Sequence, residues 1–283
     1  MSDLTSSVAA THSLGSVEGH PTTLPRVLRS EWIKIRTLRS TWITIASIVL
    51  AIVLFGVISA MVASGDITPA GGPGAGRARS LGPLATVLAG ANLSVLIVAV
   101  MGSIAGAREF STGMIRTTFS AVPKRLPVLW SKLIAFTAVV LPVVAISIVV
   151  VFFLGMRILD AGGAATVAWS DDGVARSVLG MAYYVVGLGI IGLAIGFLLR
   201  STAASIGVVI GAVIFLPALA SALLPSSWDE VLKYLPSNAA TAFTGSSQVG
   251  ATLLTPGTGF IVFTAWILLA VIGAAAVLGR RDA

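Results

Sequence analysis

AREFSTGMIRTTFSAVPKRL, residues 107–126, gathers Arg108, Glu109, Arg116, Lys124 and Arg125 into one interior stretch of a chain that is otherwise nearly free of charge. Apolar runs lie on both sides of it, 82–105 before and 132–156 after. Each run reaches the roughly 20 residues that a helix needs to cross a hydrocarbon core of about 30 Å. The stretch therefore reads as a polar connection between two membrane spans, and that reading decides the fold: an all-α integral membrane protein.

The same hydropathy continues along the rest of the 283 residues. The chain is 56% hydrophobic and 10% charged, with a mean hydropathy of +1.00. Soluble domains carry about 25% charged residues, and one this apolar would have nothing to bury its surface against. Six runs qualify as spans: 42–63, 82–105, 132–156, 177–199, 201–224 and 260–279. None holds an acidic or basic residue in its interior. Pro142 and Pro217 fall within the third and fifth and are expected to kink them.

Orientation follows from the short loops. One side collects Arg26, Arg29, Lys34, Arg36, Arg39, Arg108, Arg116, Lys124, Arg125, Lys132, Arg200, Arg280 and Arg281. The other has Arg77, Arg79, Arg157, Arg176 and Lys233, so 13 of the 18 basic residues fall on one side. Both termini are expected in the cytoplasm of a multi-pass cell-membrane protein, and the Ala, Gly and Val bias suggests a bacterial source. The net charge of +7 is thus accounted for by orientation, without nucleic acid.

The flanking segments are distinct. Residues 1–24 lack a basic n-region and an apolar h-region, and read as a disordered cytoplasmic tail, not a targeting peptide. His12 and His20 fall in it, short of the three or four ligands that a metal site needs. Residues 25–41, PRVLRSEWIKIRTLRST, repeat Leu28, Trp32, Ile35, Leu38 and Trp42 at helical spacing, with Arg29, Lys34, Arg36 and Arg39 around them. This predicts an interfacial helix at the lipid headgroups ahead of the six-span domain 42–283. Its two open roles are an anchor for the first span and a lever touching a cytoplasmic partner. Between the last two spans, residues 225–259 open on a capping-box pattern at Ser227–Glu230 and are expected to form a partly re-entrant helical hairpin. Gly102/Gly106, Gly192/Gly196 and Gly207/Gly211 share the spacing that lets helix backbones approach closely, read first as packing within the chain.

No energy source is visible. The chain has no cysteine, no G-x-x-x-x-G-K-[ST] phosphate loop and no H-E-x-x-H. The glycine-rich run 69–82 lacks the Gly-Lys-Ser/Thr and follows no strand. Spans without ionisable residues argue against a carrier driven by an ion gradient. The chain is expected to have no catalytic residue, to bind no metal or cofactor and to hydrolyse no ATP.

The connection between spans two and three is about 26 residues long, more than a hairpin needs. Residues 108–120 contain no proline and pair Phe110 with Met114 and Ile115 with Phe119 at i, i+4. This predicts a short cytoplasmic helix ended by Pro123. Glu109-Phe-Ser-Thr-Gly113-Met-Ile115-Arg116, then Pro123-Lys124-Arg125 and Lys132, resembles the ABC-2 type permeases, the membrane subunits of bacterial ATP-binding cassette exporters. That family shows a Glu, then Gly-Thr-Ile-Arg, Pro-x-Arg and a Lys in this loop; here Met114 replaces the Thr. The amphipathic leading helix, the six spans and the long outer segment extend the likeness over nearly the whole chain.

The resemblance implies a coupling helix. Arg108, Glu109, Phe110, Gly113, Met114, Ile115, Arg116, Phe119, Pro123, Lys124 and Arg125 would meet a separate cytoplasmic ATPase subunit, with Trp32, Lys34, Arg36 and Arg39 on the interfacial helix. ATP and Mg would be bound by that partner, and a second permease chain would complete the transport path for an amphiphilic or hydrophobic cargo. A self-contained carrier or channel and a membrane scaffold are the alternatives. An adjacent reading frame encoding a P-loop ATPase would discriminate among them.

Overall fold

The computed structural model describes residues 24–67, 81–114, 126–245 and 254–280, and every regular element among them is helical. Six helices are long and apolar enough to cross a membrane, the architecture of a multi-pass membrane protein. The tail, the glycine-rich run up to Ser80, and Ile115, Arg116, Phe119, Pro123, Lys124 and Arg125 of the expected coupling helix lie outside the described residues.

Helix α1 (Leu24–Thr37) leads into α2 (Arg39–Ser64) through Leu38, whose extended backbone (φ −78°, ψ 116°) breaks the helix. The interfacial helix therefore stops four residues before the expected 41, and Arg39 opens the first span. The Trp42 indole N–H donates to the Arg36 carbonyl at 3.0 Å, bracing this corner. A short helix α3 (Pro83–Val87) and a break at Leu88 precede α4 (Ala89–Ser111), where a single span over 82–105 was expected. Pro83 suits the first turn of α3. Gly90, just beyond the break, presses on α2 so closely that a Cβ there would lie 2.3 Å from the Ile52 carbonyl.

Helix α5 (Leu126–Ala161) spans 36 residues, about 54 Å at 1.5 Å per residue. It passes through Pro142 without interruption and outruns any bilayer core. Helix α6 (Val174–Leu199) turns at Arg200 and Ser201 into α7 (Thr202–Ile210). A π-helical turn (Gly211–Phe215) then leads into α8 (Leu216–Leu223). Pro217 has no N–H to offer the preceding turn and its ring crowds the carbonyl there; the π turn just ahead accommodates both.

The segment expected on the outer side holds α9 (Asp229–Leu232) and α10 (Pro236–Thr244), its residues 246–253 lying outside the described ones, and α11 (Pro256–Arg280) follows. The Ser227 capping box does not form: Trp228 occupies the N-cap and no side chain caps α9. Helix α10 buries Ala239, Ala240 and Phe243 and packs on α6 and α11. Phe243 joins Tyr183, Phe260 and Phe263 in one aromatic cluster, and the Tyr183 hydroxyl pairs with Thr264 at 2.8 Å.

The core centres on α6, of whose most apolar window 67% is buried, against 18% for α7–α8 and 22% for α11. Inside a bilayer, lipid is as apolar as leucine, so helices are held by close packing and not by exclusion of water. Glycines supply that closeness. A Cβ at Gly102 would sit 2.0 Å from the Gly189 carbonyl oxygen, and one at Gly106 2.2 Å from that of Leu193. From the facing helix, Gly192 approaches Ala99 and Gly196 approaches Ser103 in the same way. Two of the three glycine pairs thus pack α4 against α6, within the chain. Gly207 and Gly211 meet nothing within 4 Å.

Candidate functional site

Where α4 ends and α5 begins, the helices continue past the apolar windows and carry charge inward. Glu109 belongs to the last turn of α4 and Lys132 to the second turn of α5, and both are buried. They meet Glu31 and Lys34 of α1. Lys34 Nζ donates to Glu31 Oε1 at 2.7 Å and to Glu109 Oε1 at 2.8 Å. Lys132 Nζ donates to Glu31 Oε2 at 2.9 Å and to Glu109 Oε1 at 2.8 Å. Two cations and two anions alternate around a closed ring that ties three helices together.

Such a ring offsets the cost of bringing ions out of water, since each charge faces two of opposite sign and its hydrogen bonds are charge-assisted. Burial alone would lower the Lys34 pKa, but hydrogen bonds with Glu109 and Glu31 outweigh it and hold it above the ordinary 10.5. Lys34 therefore stays charged throughout the neutral range. Helix α1 is seated by the same face: Val27, one turn before Glu31, is buried against Val128 of α5. The Trp32 side of α1 is 40% exposed and lies along Ile134, Ala135 and Ala138 of α5. The face of α1 buried against the bundle thus carries Val27 and Glu31, with Lys34 half-exposed at its edge.

The expected coupling residues separate into two groups. Arg108 and Met114 are exposed. Glu109 and Phe110 turn inward, against the expectation that they would contact a partner: Glu109 faces the lysines, and Phe110 packs edge-on against Phe197 of α6 at 5.6 Å. The Arg200 guanidinium lies 5.2 Å above the Phe110 ring, a cation–π contact. Arg200 adopts a left-handed backbone, φ 55°, in the tight α6–α7 turn. Thr202 of that turn also donates to the Ser111 hydroxyl at 3.3 Å.

The helix expected over 108–120 is interrupted. Residues 108–111 complete the span itself, and the chain leaves it at Thr112 and Gly113, whose φ of +73° only glycine adopts without strain. Among the interfacial residues, Arg36 and Arg39 are exposed, whereas Lys34 enters the ring.

Sequence reading passed over Glu31. Its trace was the spacing Glu31-x-x-Lys34 beside a buried valine, but its other partner, Lys132, lies 101 residues away. A cleft of about 740 Å³ opens beside the ring, walled by α2, α4 and α5. No protein-family model matches the chain, and no curated protein is significantly similar to it.

Proposed function

We propose that this chain is the permease subunit of an ABC-2 type exporter in a bacterial cell membrane, with both termini cytoplasmic. It moves an amphiphilic or hydrophobic cargo on ATP hydrolysis by a separate ATPase subunit, has no ATPase activity of its own and works beside a second permease chain. The observation that carries this reading is the charged ring. It fixes the start of the α4–α5 connection, through Glu109, to α1 and to α5, while Arg108 and Met114 remain exposed beside it. A push on this connection would move two spans and the interfacial helix together, which is what a coupling element must do. Orientation alone would need only cations in the loop, not a closed ring beneath it.

A gradient-driven carrier would want ionisable groups at mid-bilayer, facing a cavity. Glu109 and Lys132 are instead mutually neutralised at helix ends, which favours the permease. In this proposal the ATPase meets the connection at the exposed Arg108 and Met114 and at the loop residues that follow in sequence as far as Arg125.

Two experiments test the reading. Reporter fusions at 70, 165 and 245 should read outside and those at 118 and 283 inside. A periplasmic residue 118 would put the connection out of reach of a cytoplasmic ATPase. Met114→Asp with Ile115→Asp leaves every cation and the ring in place. A lost apolar hot spot typically costs about 2 kcal/mol or more, so ATPase co-purification and export should fall together at least tenfold, with normal membrane levels. Undiminished capture of the ATPase by this double variant would refute the coupling role.

A further inference from the structure

The cleft beside the ring has one charged end and one greasy end. At the charged end stand, among the described residues, Lys34, Lys132 and Arg108 against Glu31 and Glu109, a surplus of one positive charge. Lys34 is 40% exposed where Lys132 is 9%. It uses two of its three N–H donors on the ring, which leaves one donor for an occupant of the cleft that Lys34 lines. Arg108 is exposed one residue away from Glu109.

From there the cleft runs up α4 through Ile104, Met101 and Ile97 to Leu96. Leu96 lies 12 residues before Arg108, about 18 Å along the helix and slightly more than half of a ~30 Å hydrocarbon core. Thr44 and Ser47 line the α2 wall, but both hydroxyls donate to carbonyls of their own helix, at 2.9 Å. They present an apolar surface to the cleft.

We propose that this cleft binds one anionic phospholipid of the adjacent leaflet, its phosphate at Arg108 and Lys34 and one acyl chain lying along α4. Length, polarity and charge each fit that occupant: one leaflet deep, apolar within and cationic at the headgroup level. The volume is that of a small-molecule site, roughly 300–1,000 Å³. The proposal rests on the bilayer setting alone and stands or falls independently of transport.

The test uses the full chain in phosphatidylcholine nanodiscs carrying a few per cent of a phosphatidylglycerol with a photoactivatable acyl end, or of the matching phosphatidylcholine. Labelled residues are mapped by mass spectrometry. The phosphatidylglycerol probe should label Leu96, Ile97 and Val140, at the far end of the cleft, at least fivefold more than Leu50 and Leu54, which are exposed on α2. Arg108→Gln should bring labelling by this probe down to the phosphatidylcholine level. Val100→Trp, placed in the cleft wall, should lower cleft labelling by both probes and leave Leu50 unchanged. Equal labelling of the cleft and of Leu50 by both probes would mean ordinary boundary lipid and overturn the proposal. The chain has no cysteine, so Ile104→Cys gives a clean check on the rival occupant. An interchain disulfide at this position, with no cleft labelling, would assign the cleft to a second copy.

Discussion

Replacing Lys132 by methionine should destabilise the protein by about 3–5 kcal/mol, the usual cost of leaving a buried charge without its partner. Lys132 is the most buried cation of the ring and donates to both carboxylates, at 2.9 and 2.8 Å. Without it, Glu31 and Glu109 must share Lys34, and the ring changes from neutral to singly negative. Helix α1 then loses its charged attachment to α5 and keeps only apolar packing there, the Val27–Val128 contact included. The measurement is a melting curve of the purified protein in detergent. A rescue separates charge from packing: Glu109→Gln added to Lys132→Met restores neutrality and leaves the Glu31–Lys34 pair (2.7 Å) intact. The double variant should regain more than half of the loss. Should Lys132→Met melt like the parent, or the double variant be no better than the single, the ring does not hold α1 in place.

How far the sequence disclosed this architecture depends on the range of the interaction concerned. Six spans were legible because burial in lipid demands about 20 apolar residues in a row, and composition records that directly. The span ends were not, because a hydropathy window rejects Glu109 and Lys132 however well they are paired. Glu109 was therefore read as a loop residue and Lys132 as the opening edge of the third span, and the span interiors as free of ionisable groups. Helix α1 was legible as an amphipathic helix, but its two candidate faces lie side by side. The tryptophan stripe was read as the face toward the lipid headgroups, and nothing in that pattern showed that Val27 and Glu31 would be buried against the bundle. Nothing local marks Glu31 as the partner of a lysine 101 residues away. The contacts of Phe110 were hidden for the same reason, since Phe197 and Arg200 come from another helix and its end. The break at Leu88 came from tertiary demand as well: Gly90 must approach the α2 backbone, which directs the start of α4.

The glycine pairs give the second large effect, because their spacing was legible while their partners were not. Gly102→Ala and Gly106→Ala should each lower stability markedly, by about 1–3 kcal/mol or more, as overpacking does. In each case the added methyl would meet a backbone carbonyl of α6, at 2.0 Å for Gly102 and 2.2 Å for Gly106. A side-chain tip could rotate away, but a helix backbone cannot move without separating α4 from α6. That seam is the centre of the bundle, and in lipid no hydrophobic effect draws the two helices back together. Gly207→Ala and Gly211→Ala are the controls. They have the same spacing in a helical segment, yet nothing lies within 4 Å of either, so alanine should be neutral or stabilise by up to about 1 kcal/mol through its better helix propensity. Folded yield and melting temperature in detergent should therefore fall for the first pair and hold for the second. Equal tolerance of alanine at all four positions would show that α4 and α6 are not in backbone contact. Loss at Gly207 and Gly211 as well would place a second chain on α7.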